Sequence, residues 1–487
     1  MSTRAAERQA AGGSGRATER RAAGGSDRAA ERQAVGGSGR GRDQEAAGAI
    51  GRAAEPQAAA GSQRPDRHLI RYAGDFPDLL VEHAEGSWLT TEDGRRILDF
   101  TSGQMCATLG HGHAAIAKAM REASGRVVHL FSAFLSRDVT ELARELKALL
   151  PEHLERAMFL STGGEANEAA LRLAKLHTGG HEVLAFAGSW HGMTAGAASS
   201  TYSAGRRGYG PAMPGTMALP TPNPYRCAIA HCRDRCDLAC LDAGMALADA
   251  QSTGAPAAAI VEPILSAGGI VPLPDGYLAR LKRHCEERGT LLIVDEAQTA
   301  FGRVGTLFAF EQHDVVPDLL TLSKTLGGGL PLSATVTTDA IEADTAAKGF
   351  LHVTSHVSDP LPAAVGRAVI ATVLAEGLAE RATAMGARLR AGLEELQRRH
   401  EPIGDVRGVG LMLGVDLVVD RETREPDAAY GTAVTERCLE LGLSVNIVRF
   451  QGLGSVLRIA PPLTVAREEI DLGLEILDRA LRDCRSG

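Results

Sequence analysis

No stretch of this chain approaches the roughly 20 consecutive apolar residues that a membrane helix needs, and no secretory apolar region stands near its start. A positive charge excess is missing as well: the net charge is -8 and the isoelectric point about 6.0. Neither nucleic acid nor an acidic membrane surface is therefore expected as a general partner. The eight cysteines do not form the dense pattern of a small secreted disulfide scaffold. A Gly-x-x-x-x-Gly-Lys-Ser/Thr phosphate loop is also absent, which removes the commonest nucleotide-hydrolase reading. What remains is a chain of 487 residues, 44% hydrophobic, with mean hydropathy near zero. That is ample for a large core and more than one domain, in a protein expected to be cytoplasmic with reduced thiols.

Residues 1–66 differ from the rest. Glu7, Glu19 and Glu31 mark a twelve-residue repeat of Ala, Gly, Arg and Glu that is almost free of large apolar residues. Such a segment buries too little surface to offset its ordering entropy and is expected to be disordered. A start codon further downstream is the other reading. Beyond it, 67–113 opens with a hairpin signature at Asp93-Gly94. From 114 to 361, strand-like runs at 157–160, 182–186, 257–261, 291–294, 319–322 and 334–337 alternate with helical patterns such as 165–177 and 276–288. That alternation predicts an α/β fold: a mainly parallel sheet covered on both faces. Residues 362–487 predict a smaller α+β domain, with strands at 410–415 and 456–459 and a last helix near 468–481.

Lys324 ends one apolar run, Leu319-Leu320-Thr321-Leu322-Ser323, and Gly327-Gly328-Gly329 follows it. A second run, Leu291-Leu292-Ile293-Val294, ends in Asp295-Glu296-Ala297-Gln298. A lysine and an acid at the ends of two buried strands suit pyridoxal phosphate (PLP). That cofactor takes an amine as a Schiff base and a carboxylate to keep its ring nitrogen protonated. Thr162-Gly163-Gly164 opens a helix after a strand, where backbone N–H groups and the helix dipole bind phosphate; a plain tight turn fits the same residues. Trp190, in Ser189-Trp190-His191-Gly192, can stack on a ring or serve as core. Arg458 sits inside an apolar strand, which asks for a buried carboxylate or an internal salt bridge. Cys227, Cys232, Cys236 and Cys240 cluster around His231, but C-x4-C-x3-C-x3-C lacks the paired C-x2-C of common zinc sites. Free thiols and a metal set both stay open.

Ser161-Thr162-Gly163-Gly164-Glu165-Ala166-Asn167-Glu168, Trp190-His191-Gly192, Asp295-Glu296-Ala297-Gln298 and Ser323-Lys324, in this order, resemble the class III aminotransferases of PLP fold type I. Within that family, Thr101-Ser102-Gly103-Gln104-Met105, Glu262-Pro263-Ile264-Leu265-Ser266, His356-Val357-Ser358-Asp359-Pro360 and Arg458-Ile459-Ala460-Pro461-Pro462 resemble the 2,2-dialkylglycine decarboxylases. The resemblance implies a seven-stranded large domain, PLP held by Lys324, Asp295 on the ring nitrogen and Gln298 on the phenolic oxygen. It implies Thr162, Gly163 and Gly164 on the phosphate, joined by Ser355 of a neighbouring subunit, and Trp190 on the ring. It further implies Arg458 clamping the carboxylate that stays, and Gln104, Ser266 and Lys324 holding the one that leaves. The activity implied is decarboxylation of a dialkylglycine such as 2-aminoisobutyrate, with the amino group passed to pyruvate; the alternative is a non-decarboxylating amine or ω-amino acid aminotransferase. Small amino and 2-oxo acids, and a homodimer or tetramer, are the implied partners. An alkali-metal site for potassium or sodium is implied at Leu130, Ser132, Ser355, Val357 and Asp359, although serine stands at 355 where the family has threonine. The cysteine run and the tail have no counterpart in the family.

Overall fold

The computed structural model describes residues 68–72, 76–447 and 455–485. The low-complexity tail, expected to be disordered, lies outside them. The chain separates into Met1–Phe76 and Pro77–Gly487. In the first unit, the described part brings Tyr72 edge-on to Phe76, with ring centroids 5.2 Å apart.

The larger unit is built on a seven-stranded sheet. Its order is Arg156–Leu160, Ser333–Thr337, Leu319–Leu322, Leu291–Asp295, Pro256–Val261, Glu182–Phe186, Thr216–Leu219. Ser333–Thr337 runs antiparallel to both neighbours, and the other adjacent pairs are parallel. Six of these strands match the strand-like runs of the sequence; Thr216–Leu219, short and only partly buried, is not among them. The central strands are apolar throughout because helices cover both faces. Along Leu291–Asp295 the side chains alternate: Leu292 and Val294 join one core cluster, Ile293 the other. Burying each of these contributes about 1.5–3 kcal/mol.

A second core gathers Leu98, Phe100, Leu413, Val415, Leu457 and Ile459 under the helices Leu378–Arg399 and Arg467–Arg485. Its sheet places Met412–Leu417 antiparallel to Val456–Ile459, with Gly414 opposite Arg458. The N-terminal hairpin, Trp88–Thr91 and Arg96–Asp99, joins this part through Leu443–Ser444, which pairs in parallel with Arg96–Asp99.

The register positions the site. Asp295 lies opposite Thr321 at the carboxyl ends of two parallel strands, and Lys324 follows three residues on. In open parallel sheets this edge is where ligands bind.

Candidate active site

A cavity of about 190 Å³ opens at that edge, lined among others by Gly163, Trp190, Glu262, Asp295, Gln298 and Lys324. Lys324 opens the short turn Lys324–Gly327 with φ of 46°, a left-handed conformation costly for a residue with a side chain. The half-buried side chain faces the cavity. Burial pulls its ammonium below the ordinary lysine range, and Arg458 adds to this, while Cys106, Asp295 and Glu262 oppose it. An amine held toward its neutral form is ready to attack a carbonyl.

Asp295 forms the floor. Its Oδ2 accepts from Asn167 Nδ2 at 2.7 Å and faces His191 Nδ1 at 2.9 Å, and its Oδ1 accepts from the Ala297 N–H at 3.0 Å. Asn167 is itself fixed, donating to the His191 carbonyl and accepting from Thr321 Oγ1, each at 2.7 Å. Burial alone would protonate this acid; His191, the Ala297 amide and Asn167 outweigh it and hold the carboxyl below its usual range. A fixed negative charge in a dry site is what keeps a facing ring N–H protonated.

The wall is different. Glu262 is equally buried, and its carboxylate accepts from the Trp190 N–H at 2.8 Å and the Ser266 N–H at 3.3 Å. Burial, with Asp295 as a repelling neighbour, pushes its carboxyl up to about 7, against the pull of His191. Arg458 Nη1 donates to Ser266 Oγ at 3.2 Å. Burial brings this guanidinium down to about 10, with Glu262 opposing.

The helix Gly163–Thr178 starts at the cavity. Thr162 caps it, accepting from the Glu165 N–H at 3.3 Å, and the Glu165 carboxylate accepts back from Ser161 and Thr162. Gly192, with φ of 127°, packs on this start: a Cβ added there would lie 2.5 Å from Gly164 Cα. Two glycines thus let the Trp190-His191 loop touch the helix terminus.

Of the residues expected from the sequence, Lys324, Asp295, Gln298, Trp190, Gly163 and Gly164 share the cavity lining. Ser266 and Arg458 bond to each other outside the lining, and the Ser266 N–H donates to Glu262, which lines the cavity. Thr162 sits exposed at the cap rather than in the lining, and Ser355 is exposed on the protomer. Gln104 is exposed too, on a turn held by Asp99: its Oδ2 accepts from the Gly103 N–H at 2.7 Å and faces His111 Nε2 at 2.8 Å. Two residues on, burial pushes the Cys106 thiol up while Lys324 and Arg303 pull it down, so this turn borders the site.

The expected alkali-metal set does not fit. Asp359, its one charged oxygen donor, spends Oδ1 on His129 Nδ1 and Oδ2 on His356 Nδ1, each at 2.6 Å. An oxygen-only shell would have to displace both imidazoles. Sequence reasoning also left three site residues without a role: Asn167, His191 and Glu262. All stood inside recognised motifs, but single polar residues there carry no signal until the fold converges them.

The donor set fits PLP by its own chemistry. An amine whose charged form burial disfavours and a held carboxylate face one cavity. Gln298 Oε1 is buried there without a partner. Gly163 lies close to the two strand ends: an added Cβ would touch Ala297 Cβ and Ser323 Cβ, both at 3.4 Å. Fold and site together define a PLP-dependent transferase. The class III aminotransferase family model matches residues 71–481, so the chain belongs to that family. It is 50% identical over 417 residues to an uncharacterized aminotransferase of Schizosaccharomyces pombe, covering 85% of this chain and 93% of that one. It is 33% identical to the leucine/methionine racemase of Thermococcus litoralis, over 87% and 97% of the two chains. Among solved structures, a PLP-bound amine transaminase from an uncultivated Pseudomonas species superposes with a TM-score of 0.78 and 28% identity, covering 88% of this chain and 99% of the other. The protein is a PLP-dependent aminotransferase.

Proposed function

We propose that the enzyme is a decarboxylating aminotransferase of 2,2-dialkylglycines that returns the amino group to pyruvate. The observation that carries this reading is the Arg458–Ser266 bond of 3.2 Å beside a second polar turn, the one bearing Gln104. Two anion-holding settings then border one lysine. When bound, PLP acts as an electron sink for whichever substrate bond is aligned with it. Lys324 links the cofactor and moves the proton. Asp295 keeps the ring nitrogen protonated, Gln298 meets the phenolic oxygen, and the Gly163–Gly164 N–H groups face the phosphate. Arg458 binds the carboxylate that stays, as a charge-assisted bidentate contact. Gln104, Ser266 and Lys324 direct a leaving carboxylate, so the contribution is chiefly one of orientation. The motifs resembling dialkylglycine decarboxylases support the same assignment.

The exposure of Gln104 and Ser355 favours a homodimer with shared sites. Exposed apolar residues in the same region, Val128, Phe131, Phe134, Leu135, Leu351 and Val353, supply a surface for it. Light scattering of the holoenzyme tests this, and a monomer would remove it. The exposure of Gln104 also sustains a second reading, a plain amine or ω-amino acid aminotransferase. One assay separates the two. The enzyme is given carboxyl-labelled 2-aminoisobutyrate with pyruvate. Labelled CO₂ with alanine is expected; alanine formed only from amine donors would favour the second reading.

A further inference from the structure

Arg303 is among the largest wholly buried side chains, and it lies outside the cavity lining. Among the described residues it forms no ion pair; burial brings its guanidinium down to about 10, opposed by the Cys106 thiol. Its hydrogen bonds go to neutral oxygens. Nη1 donates to the Leu411 carbonyl at 3.2 Å and to the Pro461 carbonyl, and Nη2 donates to Ser102 Oγ at 3.4 Å. Nε is buried without a partner. A buried charge with no counter-charge is costly, and an apolar side chain of similar length would avoid that cost. What a guanidinium adds is a planar fork of donors that reaches several acceptors at once.

The acceptors lie on separate segments that border the site. Ser102 stands two residues before Gln104, and Pro461 three residues after Arg458. Leu411 leads into the strand Met412–Leu417, which pairs with the strand carrying Arg458. A second, independent set of bonds joins the same segments. Ser102 Oγ donates to the Ala460 carbonyl at 2.6 Å, and the Ala460 N–H donates to the Phe100 carbonyl at 2.7 Å. Thr108 Oγ1 meets Thr325 Oγ1 at 2.9 Å, which links the same stretch to the residue after Lys324. The turn bearing Gln104 is also strained: Ser102 and Met105 hold left-handed φ of 48° and 58°. Such a backbone persists only where its surroundings over-determine it. Asp99 bonds this turn through the Gly103 N–H, and Arg303 bonds it through Ser102.

We propose that Arg303 is a positioning residue for carboxylate recognition, an inference that rests on the carboxylate-binding roles of Arg458 and Gln104. Its fork fastens the Gln104 turn to the chain beyond Arg458, so that both side chains keep fixed places relative to Lys324. Arg303 acts through these segments and touches neither substrate nor cofactor. A lysine there would keep the charge as a single point and could not hold three oxygens on separate segments.

The test uses the full-length holoenzyme and compares Arg303→Lys and Ser102→Ala with the unsubstituted chain. Arg303→Lys keeps the charge and loses the fork; Ser102→Ala keeps the fork and removes the hydroxyl between the segments. KM for pyruvate should rise roughly 10-fold or more in Arg303→Lys, as for a misplaced binding group. It should rise roughly 5-fold in Ser102→Ala, the worth of one hydrogen bond. Hydroxylamine, a carbonyl reagent with no carboxylate, should convert the bound cofactor at an unchanged rate, and the visible absorbance of the holoenzyme should stay where it is. A merely structural role would lower Tm without this split between pyruvate and hydroxylamine. Folded variants with an unchanged KM for pyruvate would overturn the proposal, and so would equal changes in that KM and in the hydroxylamine rate. Should Arg303→Lys fail to fold, Ser102→Ala decides by the same split. Pyruvate is the acceptor under either reading of the enzyme. Absence of labelled CO₂ from 2-aminoisobutyrate with the unsubstituted chain would therefore sink the decarboxylase reading alone and leave this comparison to decide the role of Arg303.

Discussion

The floor and the wall of the cavity each bury one carboxylate, and the two behave oppositely. Asp295 meets an amide side chain, an imidazole and a backbone N–H, and stays charged below its usual range. Glu262 meets two backbone N–H groups, with Asp295 itself as a repelling neighbour, and titrates at about 7. Burial is common to both, so the number and kind of donors decide the charge. The floor is built to hold a charge permanently, and the wall holds an acid that changes state near neutrality.

The sharpest break of this contrast is the removal of the amine between them. Lys324→Ala should lower turnover by roughly 10⁴-fold in both half-reactions, measured by single-turnover spectroscopy; retained turnover would take Lys324 out of its role. Asp295→Asn keeps the shape of the floor and deletes its charge. It should cost about 10²-fold or more in kcat while PLP binding is largely kept. An equal effect from Glu262→Gln would erase the distinction. Arg458→Ala should reduce kcat/KM by about 30–100-fold for amino acids, the worth of a charge-assisted contact, and by little for amines lacking a carboxylate. Gln104→Ala should slow decarboxylation by about 10-fold and transamination of alanine less; equal losses would mean that the leaving carboxylate is held elsewhere.

The smallest effect concerns stability. Glu262 has its folded value raised from 4.5 to about 7. Between these values the folded chain binds more protons than the unfolded one. The neutral acid's contribution is complete below about 4.5 and is lost as pH rises through 7. Glu296 is shifted to about 7 by the same cause, burial. The apoenzyme's Tm should therefore fall between pH 5 and pH 7.5, and Glu262→Gln should flatten part of that slope. An unchanged slope would show that Glu262 is already ionised.

Much of the floor was legible in the sequence. Apolar runs that end in Asp295 and Lys324 fix strands whose carboxyl ends must lie side by side once the sheet is parallel. Glycines at 163, 164 and 192 mark close backbone approaches. The wall was less legible, because Glu262, Ser266 and Arg458 come from segments nearly 200 residues apart, and neither periodicity nor spacing relates them. The strand Thr216–Leu219 escaped notice for a simpler reason: its apolar run, Met217-Ala218-Leu219, is only three residues long. The cation set at Asp359 shows the converse, since its carboxylate meets His356 of its own motif and His129 from a remote segment.

Apolar runs and the residues that end them pointed to the α/β class and to PLP chemistry and marked Lys324 as the candidate linking amine, because these depend on local sequence. Only the tertiary structure decided which acid keeps its charge and which guanidinium faces a hydroxyl. Those are properties of desolvation and of distance between remote segments, and neither is set by order along the chain.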